Sequence, residues 1–221
     1  MKRLKASKIS VALLWLFCWS FYSTDAQAFE DYPGFSPLSN IVQFKAQFKE
    51  ASAKIQSVKS EFIQEKTLFA LTENITSQGK FWFKRTNKVR LDYTTPFTYR
   101  MIINGDKVLV KDDHKENRIN VRSNKLFQQI NKIMLDCIQG TILDSKDFTS
   151  RVFENEKGYL LELSPVNKSL KDFFRNIVLV IEKKDYSVRS MSLNEPSGDK
   201  TVITFTNKSL NTQLQDEIFT F

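Results

Sequence analysis

Between Ser77 and Val110 the chain reads SQGKFWFKRTNKVRLDYTTPFTYRMIINGDKVLV, with apolar side chains returning at every second position through several short segments. Alternation at period two marks extended strands with one apolar face, because successive side chains on a strand point to opposite sides. In that register Phe81 and Phe83 share a face, as do Val89, Leu91 and Tyr93, then Tyr99, Met101 and Ile103, then Val108 and Val110. Only a few residues separate the segments, among them Asn104-Gly105, a pair that favours a tight hairpin. Short strands with short turns build an antiparallel meander, and its apolar face needs a cover.

Helical spacing occurs twice. Residues 38–55 place Ile41, Phe44, Phe48, Ala51 and Ile55 at intervals of three and four, with Ser39 or Asn40 as the cap. Residues 123–139 repeat the spacing with Leu126, Ile130, Ile133, Met134, Cys137 and Ile138. Strand patterns resume at FTSRVFEN, GYLLELSP, IVLVIEKKD, SVRSMSLNE and KTVITFTNKSLN, with a brief helical turn at SLKDFFRN. No repeat, low-complexity tract or linker divides the chain. The predicted architecture is α+β, one large antiparallel sheet with a few helices against one face.

The amino terminus reads as an export signal. Lys2, Arg3, Lys5 and Lys8 precede the apolar run ISVALLWLFCWSF, and Ala26 and Ala28 flank Gln27 in the A-x-A pattern that signal peptidase cuts. The apolar run is shorter than the roughly 20 residues a membrane-spanning helix requires. Residues 1–28 are therefore expected to be a signal peptide cleaved after Ala28, leaving residues 29–221 as one domain. Bulky Leu16 and Phe17 ahead of Cys18 argue against a lipid attachment site. Cleavage removes Cys18, so Cys137 has no disulfide partner. It also removes the four basic residues and Asp25 from a formal net charge of +8. The modest surplus that remains contains no Arg-rich block, so nucleic acid is not an expected partner.

Reactive chemistry is scarce. The one histidine, His114, lies in the polar stretch KDDHKEN. Asp112 and Asp113 stand beside it, but adjacent residues on a turn rarely converge on one substrate, and a general base must reach the proton it removes. One histidine and one remaining cysteine are too few for a His/Cys metal site. No G-x-S-x-G elbow or glycine-rich phosphate loop occurs. The expectation is a protein that is not an enzyme and uses no metal or other cofactor.

The apolar face admits two uses. Packed solid, it belongs to a sensor or adaptor that binds a protein partner through the sheet. Covered loosely, since two helices are few for so many strands, it encloses a cavity, and each methylene buried there contributes about 0.8 kcal/mol. Phe81, Phe83, Val89, Leu91, Tyr93, Met101 and Ile103 are the candidate lining residues. Arg85, at the end of the KFWFKR strand, is either a solvated charge or a latch bonded to backbone carbonyls of a covering helix. Trp82, the one tryptophan left after cleavage, is expected to change fluorescence when acylated ligand binds.

The segments VKSEFIQEK, SQGKFWFKRTNKVRLDYTTP and IINGDKVLVKD follow one another in the chain. In this series it resembles the periplasmic outer-membrane lipoprotein carrier (LolA-like) family, through Phe62 and Gln64, Gly79 with Trp82, Lys84-Arg85 with Asn87, Pro96, and Gly105. The resemblance spans residues 58–113, with a looser strand pattern to Phe221. It implies an incomplete β-barrel, a large curved antiparallel sheet around a hydrophobic cavity under an α-helical lid. It also implies a monomeric periplasmic carrier of acylated lipoprotein, working between inner-membrane release machinery and an outer-membrane acceptor. Arg85 matches the family's lid latch, and Val89 an apolar position used in handling cargo. Thr86 stands where proline is usual, Lys88 where an apolar residue is usual, and Asn104-Gly105 replaces Asp-Gly. The family continues into a proline- and glycine-containing tail where this sequence reads IFTF, a departure that bears on the exchange with membrane partners the resemblance implies. QEKTLFALTENITSQGKF also resembles a divergent branch associated with export of acylated polyene pigments, which extends the expected cargo to other lipid-like molecules.

Overall fold

The last long strand of the chain pairs with the first long strand, and this closure joins two meanders into one sheet. The computed structural model describes residues 32–71, 73–85, 87–120 and 125–221. Strand β1 (Ser36–Pro37) and helix α1 (Ile41–Ala53) lead into β2 (Ser57–Leu68), β3 (Glu73–Lys84), β4 (Lys88–Thr95), β5 (Tyr99–Asn104), β6 (Lys107–Asp112) and β7 (Glu116–Asn120). Helix α2 (Lys125–Gln139) connects to β8 (Phe148–Glu154), β9 (Gly158–Pro165), the short helix α3 (Lys168–Lys171), β10 (Asn176–Glu182), β11 (Val188–Asn194) and β12 (Lys200–Leu210). The sheet order is β1-β8-β9-β10-β11-β12-β2-β3-β4-β5-β6-β7, antiparallel throughout and open between β1 and β7. Residues 34–221 form one compact unit. The expected signal peptide, residues 1–28, lies outside the described residues.

Local chemistry explains the element boundaries. Asn40, and not Ser39, caps α1 by accepting a hydrogen bond from the Gln43 backbone N–H at 3.0 Å. The helix buries Phe44, Phe48 and Ser52, while Ile41, its first residue, stays 45 % exposed and outside the core. Gly140 ends α2 at φ +70°, a left-handed conformation that glycine adopts without steric penalty. A Cβ there would also stand 2.8 Å from Ser52 Oγ, so α1 passes directly over this glycine. The hairpin between β5 and β6 turns one residue later than expected. Asn104 pairs with Lys107, leaving Gly105 at the first central position with φ +60°. Strands β1 and β7, absent from the sequence expectation, are a two-residue edge and a polar edge (ENRIN). Neither shows the apolar alternation that reveals a half-buried strand.

The inner face of the sheet carries two clusters. Phe44 and Phe48 of α1 and Ile133 and Cys137 of α2 pack with Leu161, Leu163, Ile177 and Leu179 of β9 and β10. Phe62, Phe83, Val89, Ile103 and Val108 of β2–β6 pack with Met134, Leu135 and Ile138 of α2. One helix thus bridges both halves. On the outer face Trp82, Ile102 and Leu109 lie under Leu214, Ile218 and Phe219 of the C-terminal segment. Alternation already sets Trp82 opposite Phe81 and Phe83, and the C-terminal cover makes it a reporter of the outer face. The expectation that Trp82 senses ligand directly is corrected on this ground.

Candidate functional site

Central strands of a sheet are ordinarily its most buried, yet no residue of β11 or β12 is fully buried on either face. The reason is a hollow of about 560 Å³ over the middle of the sheet, within the roughly 300–1,000 Å³ usual for ligand pockets. Phe81, Leu91, Tyr93, Met101 and Ile103 form its wall on the β3–β5 side. Leu179, Met191, Leu193, Ile203 and Phe205 form the wall on the β10–β12 side, and Ile133, Met134 and Ile138 of α2 form the roof. Of the seven candidate lining residues, Phe83 and Val89 stand apart. Both are 0 % exposed in the core beneath α2 and do not reach the hollow. Alternation assigns side chains to a face; it does not say where along the strand the covering helix sits.

On the β10–β12 side Met191 and Leu193, then Ile203 and Phe205, keep the period of two, while bulges displace Val188 and Lys208. The pairing of β10 with β11 shifts between Val180 and Ile181, so Val188 and Met191 face inward three residues apart. The pairing of β12 with β2 shifts between Thr206 and Ser209. Counting by twos loses the face at each shift.

Polar groups at the hollow are few. Tyr93 donates its hydroxyl proton to Gln64 Oε1 at 2.9 Å, and Phe62 meets the Tyr93 ring edge-on at 4.9 Å between centroids. Phe62 in turn lies opposite Gly79, where an added Cβ would stand 2.7 Å from the Phe62 ring and overlap the Asp92 carbonyl oxygen. Phe62, Gln64 and Gly79 thus form one packed unit that fixes the Tyr93 side of the wall. Burial pushes the Tyr93 hydroxyl up to about 12, so it stays a neutral donor. Burial likewise raises the Cys137 thiol, which lines the hollow as an inert apolar group. Asn131, on α2, faces the hollow with its Oδ1 buried and without a hydrogen-bond partner among the described residues. At one end Lys208 donates from Nζ to Ser187 Oγ at 2.7 Å and to the Val188 carbonyl at 3.1 Å.

Arg85 extends from the end of β3 to α1. Its Nε donates to the Ile55 carbonyl at 2.9 Å, and Nη2 donates to the carbonyls of Ser52 at 2.8 Å and Ala53 at 3.2 Å. Ile55 lies two residues beyond α1 and the Ser52 carbonyl also accepts the Ile55 backbone N–H at 3.1 Å, so Arg85 clamps the turn that leaves the helix, where a cation also complements the helix dipole. His114 has a different setting. Asp112 accepts its backbone N–H at 2.8 Å and that of Lys115 at 2.7 Å, which builds the turn into β7. Backbone bonds from these two residues hold the Asp112 carboxyl below its ordinary range. Among the described residues no group of three or more His, Cys, Asp or Glu side chains is placed to hold a metal ion.

The profile of the family described as "Outer membrane lipoprotein carrier protein LolA" matches residues 53–221. The chain belongs to the LolA family. A protein of Methylococcus capsulatus named outer-membrane lipoprotein carrier protein is 28 % identical over 146 residues, covering 66 % of this chain and 67 % of that one. A LolA-superfamily structure from Nitrosomonas europaea aligns over 80 % of this chain and 97 % of its own, at 13 % identity and a TM-score of 0.41. The MucA/MucB complex of Pseudomonas aeruginosa aligns over 80 % and 59 %, at 10 % identity and a TM-score of 0.45. The LolA match begins at Ala53, the last residue of α1, and so takes in Arg85, the whole sheet from β2 to β12 and the hollow. Among the described residues no helix is long and apolar enough to cross a membrane.

Proposed function

We propose that this LolA-family protein is a periplasmic carrier that shelters the acyl chains of a lipoprotein, or of a related lipid-like cargo, between the inner and outer membranes. The observation that carries the reading is the apolar hollow over β11 and β12, where the middle of a sheet is left without a packed cover. Burying hydrocarbon there contributes about 0.8 kcal/mol per methylene, so a partial chain is already held. The groups that face the hollow are mostly apolar, which suits binding.

In this reading α1 and α2 are the lid, and Arg85 holds the closed form through the last turn of α1. Cargo opens the lid only to the extent that it binds the open form more tightly, so a small gap between the forms suffices. Export by residues 1–28 delivers the chain to the periplasm, where an inner-membrane donor and an outer-membrane acceptor are the partners.

Extraction of the purified protein into organic solvent, followed by mass spectrometry, tests the proposal. Acylated material in near-stoichiometric amount is the expected result. A solvent extract free of acyl compounds, from protein that holds a polypeptide partner instead, contradicts it and supports the adaptor role.

A further inference from the structure

Lys208 is aimed into the hollow by a bulge. Phe205 pairs with Phe62 and faces inward, so plain alternation would turn Asn207 inward and Lys208 out to solvent. Between Thr206 and Ser209 the pairing gains a residue, with Asn207 and Lys208 together opposing Ser60. Asn207 takes φ +49°, an uncommon conformation outside glycine, and anchors itself to Glu61 through Nδ2 at 2.6 Å. A bulge of this kind re-aims a side chain. Here the result is a lysine in the hollow's lining with only 12 % of its side chain exposed.

That ammonium is under-partnered for its depth. It has three donors and makes two hydrogen bonds, to Ser187 Oγ and the Val188 carbonyl. The Ser187 hydroxyl proton is committed to Asp185 at 2.6 Å, and Glu182 stands 3.9 Å from Nζ, beyond hydrogen-bond reach. Burial pulls the Lys208 ammonium below its ordinary range, against the pull of Asp185 and Glu182. Ser60, opposite the bulge, keeps a buried hydroxyl without a hydrogen-bond partner among the described residues. The far end of the hollow has the opposite character, with Asp172 and with Glu195 offset by Lys66 at 3.9 Å.

We propose that the hollow selects a long-chain amphiphile ending in a carboxylate, with the carboxylate on the third donor of Lys208 and the hydrocarbon along β11 and β12. A single point-charge donor suits one carboxylate oxygen. The inference rests on the carrier reading and takes its lipid-like cargo, since the ester- and amide-linked acyl chains of a lipoprotein carry no free carboxylate.

Competition of palmitate and methyl palmitate against a fluorescent acyl probe tests it on the whole exported chain. Palmitate is expected to bind about tenfold more tightly than the ester, the scale of one charge-assisted hydrogen bond. Lys208→Met should erase that preference and bind acid and ester alike, which also shows that the hollow is intact. Lys208→Arg should retain the preference. Equal binding of acid and ester by the wild type, or a preference that survives Lys208→Met, overturns the inference and leaves the carrier reading standing. Binding of neither ligand and no probe overturns both.

Discussion

Arg85 reaches from the sheet to the end of α1 and holds the Ser52 carbonyl at 2.8 Å, one side chain fastening a helix that passes over Gly140. Arg85→Leu removes every one of these bonds. A hydrogen bond from a charged donor contributes about 1.5–3 kcal/mol, so the last turn of α1 should open roughly tenfold or more often. Amide hydrogen exchange at the end of α1 should speed up accordingly, while the amides of β9 and β10 keep their protection. Unchanged exchange in α1 would remove the latch from the account.

Gly79 is the position where a single methyl group does most harm. A Cβ there meets the Asp92 carbonyl and the Phe62 ring, and both are fixed by the sheet. Gly79→Ala should lower the unfolding free energy by more than about 3 kcal/mol, the upper end for overpacking. Leu71→Ala, at a 60 % exposed turn residue, should change it by less than about 0.5 kcal/mol. Urea denaturation of the two variants measures the difference.

Trp82 should report the outer face. In protein lacking residues 1–28 it is the one tryptophan, packed with Ile218 and Phe219 and beneath the Arg90 guanidinium at 5.3 Å. Phe219→Ala should shift its emission to longer wavelength and lower stability by about 3–5 kcal/mol. Acyl ligand should leave the emission of the wild type nearly unchanged. A large ligand response with no effect of Phe219→Ala would place the two faces the wrong way round.

Asp92 lies between two arginines on that outer face, 2.6 Å from Arg90 Nη2 and 2.9 Å from Arg100 Nε. Burial alone would raise its carboxyl, but the two guanidiniums outweigh burial and hold it below the ordinary aspartate range. A depressed native pKa means stability that is fully present above the unfolded value and lost as pH falls through the native one. Asp92→Asn should therefore cost about 1–3 kcal/mol at neutral pH. The gap to wild type should narrow by about pH 3, below the ordinary aspartate value near 3.9. Denaturation curves at the two pH values check this, and a gap independent of pH contradicts it.

Much of this architecture was legible in the residues themselves. The alternation from Phe81 to Val110 announces β3 to β6, and Phe44, Phe48, Ile133 and Cys137 announce the two helices, because strand and helix periods differ so plainly. Asn40 and Ser39 were equivalent as caps until the geometry chose Asn40. The hollow was not legible, since Phe83 and Phe81 share one face and one pattern while only Phe81 borders open space. Lys208 was hidden for a different reason. A one-residue bulge inverts every later position, and nothing in KTVITFTNKSLN marks it except Asn207, a residue that tolerates positive φ.

The central claim is that the space over β11 and β12 receives hydrocarbon. Ile203 lines it and pairs across the sheet with Gln64, so Ile203→Trp should fill the space from within. Titration of a fluorescent acyl probe into wild type and Ile203→Trp is the direct measurement. Saturable binding of one probe per wild-type chain, weakened at least about tenfold in the variant, which is about 1.4 kcal/mol, is the expected result. Binding that is absent from the wild type, or equally strong when the space is filled, contradicts the account.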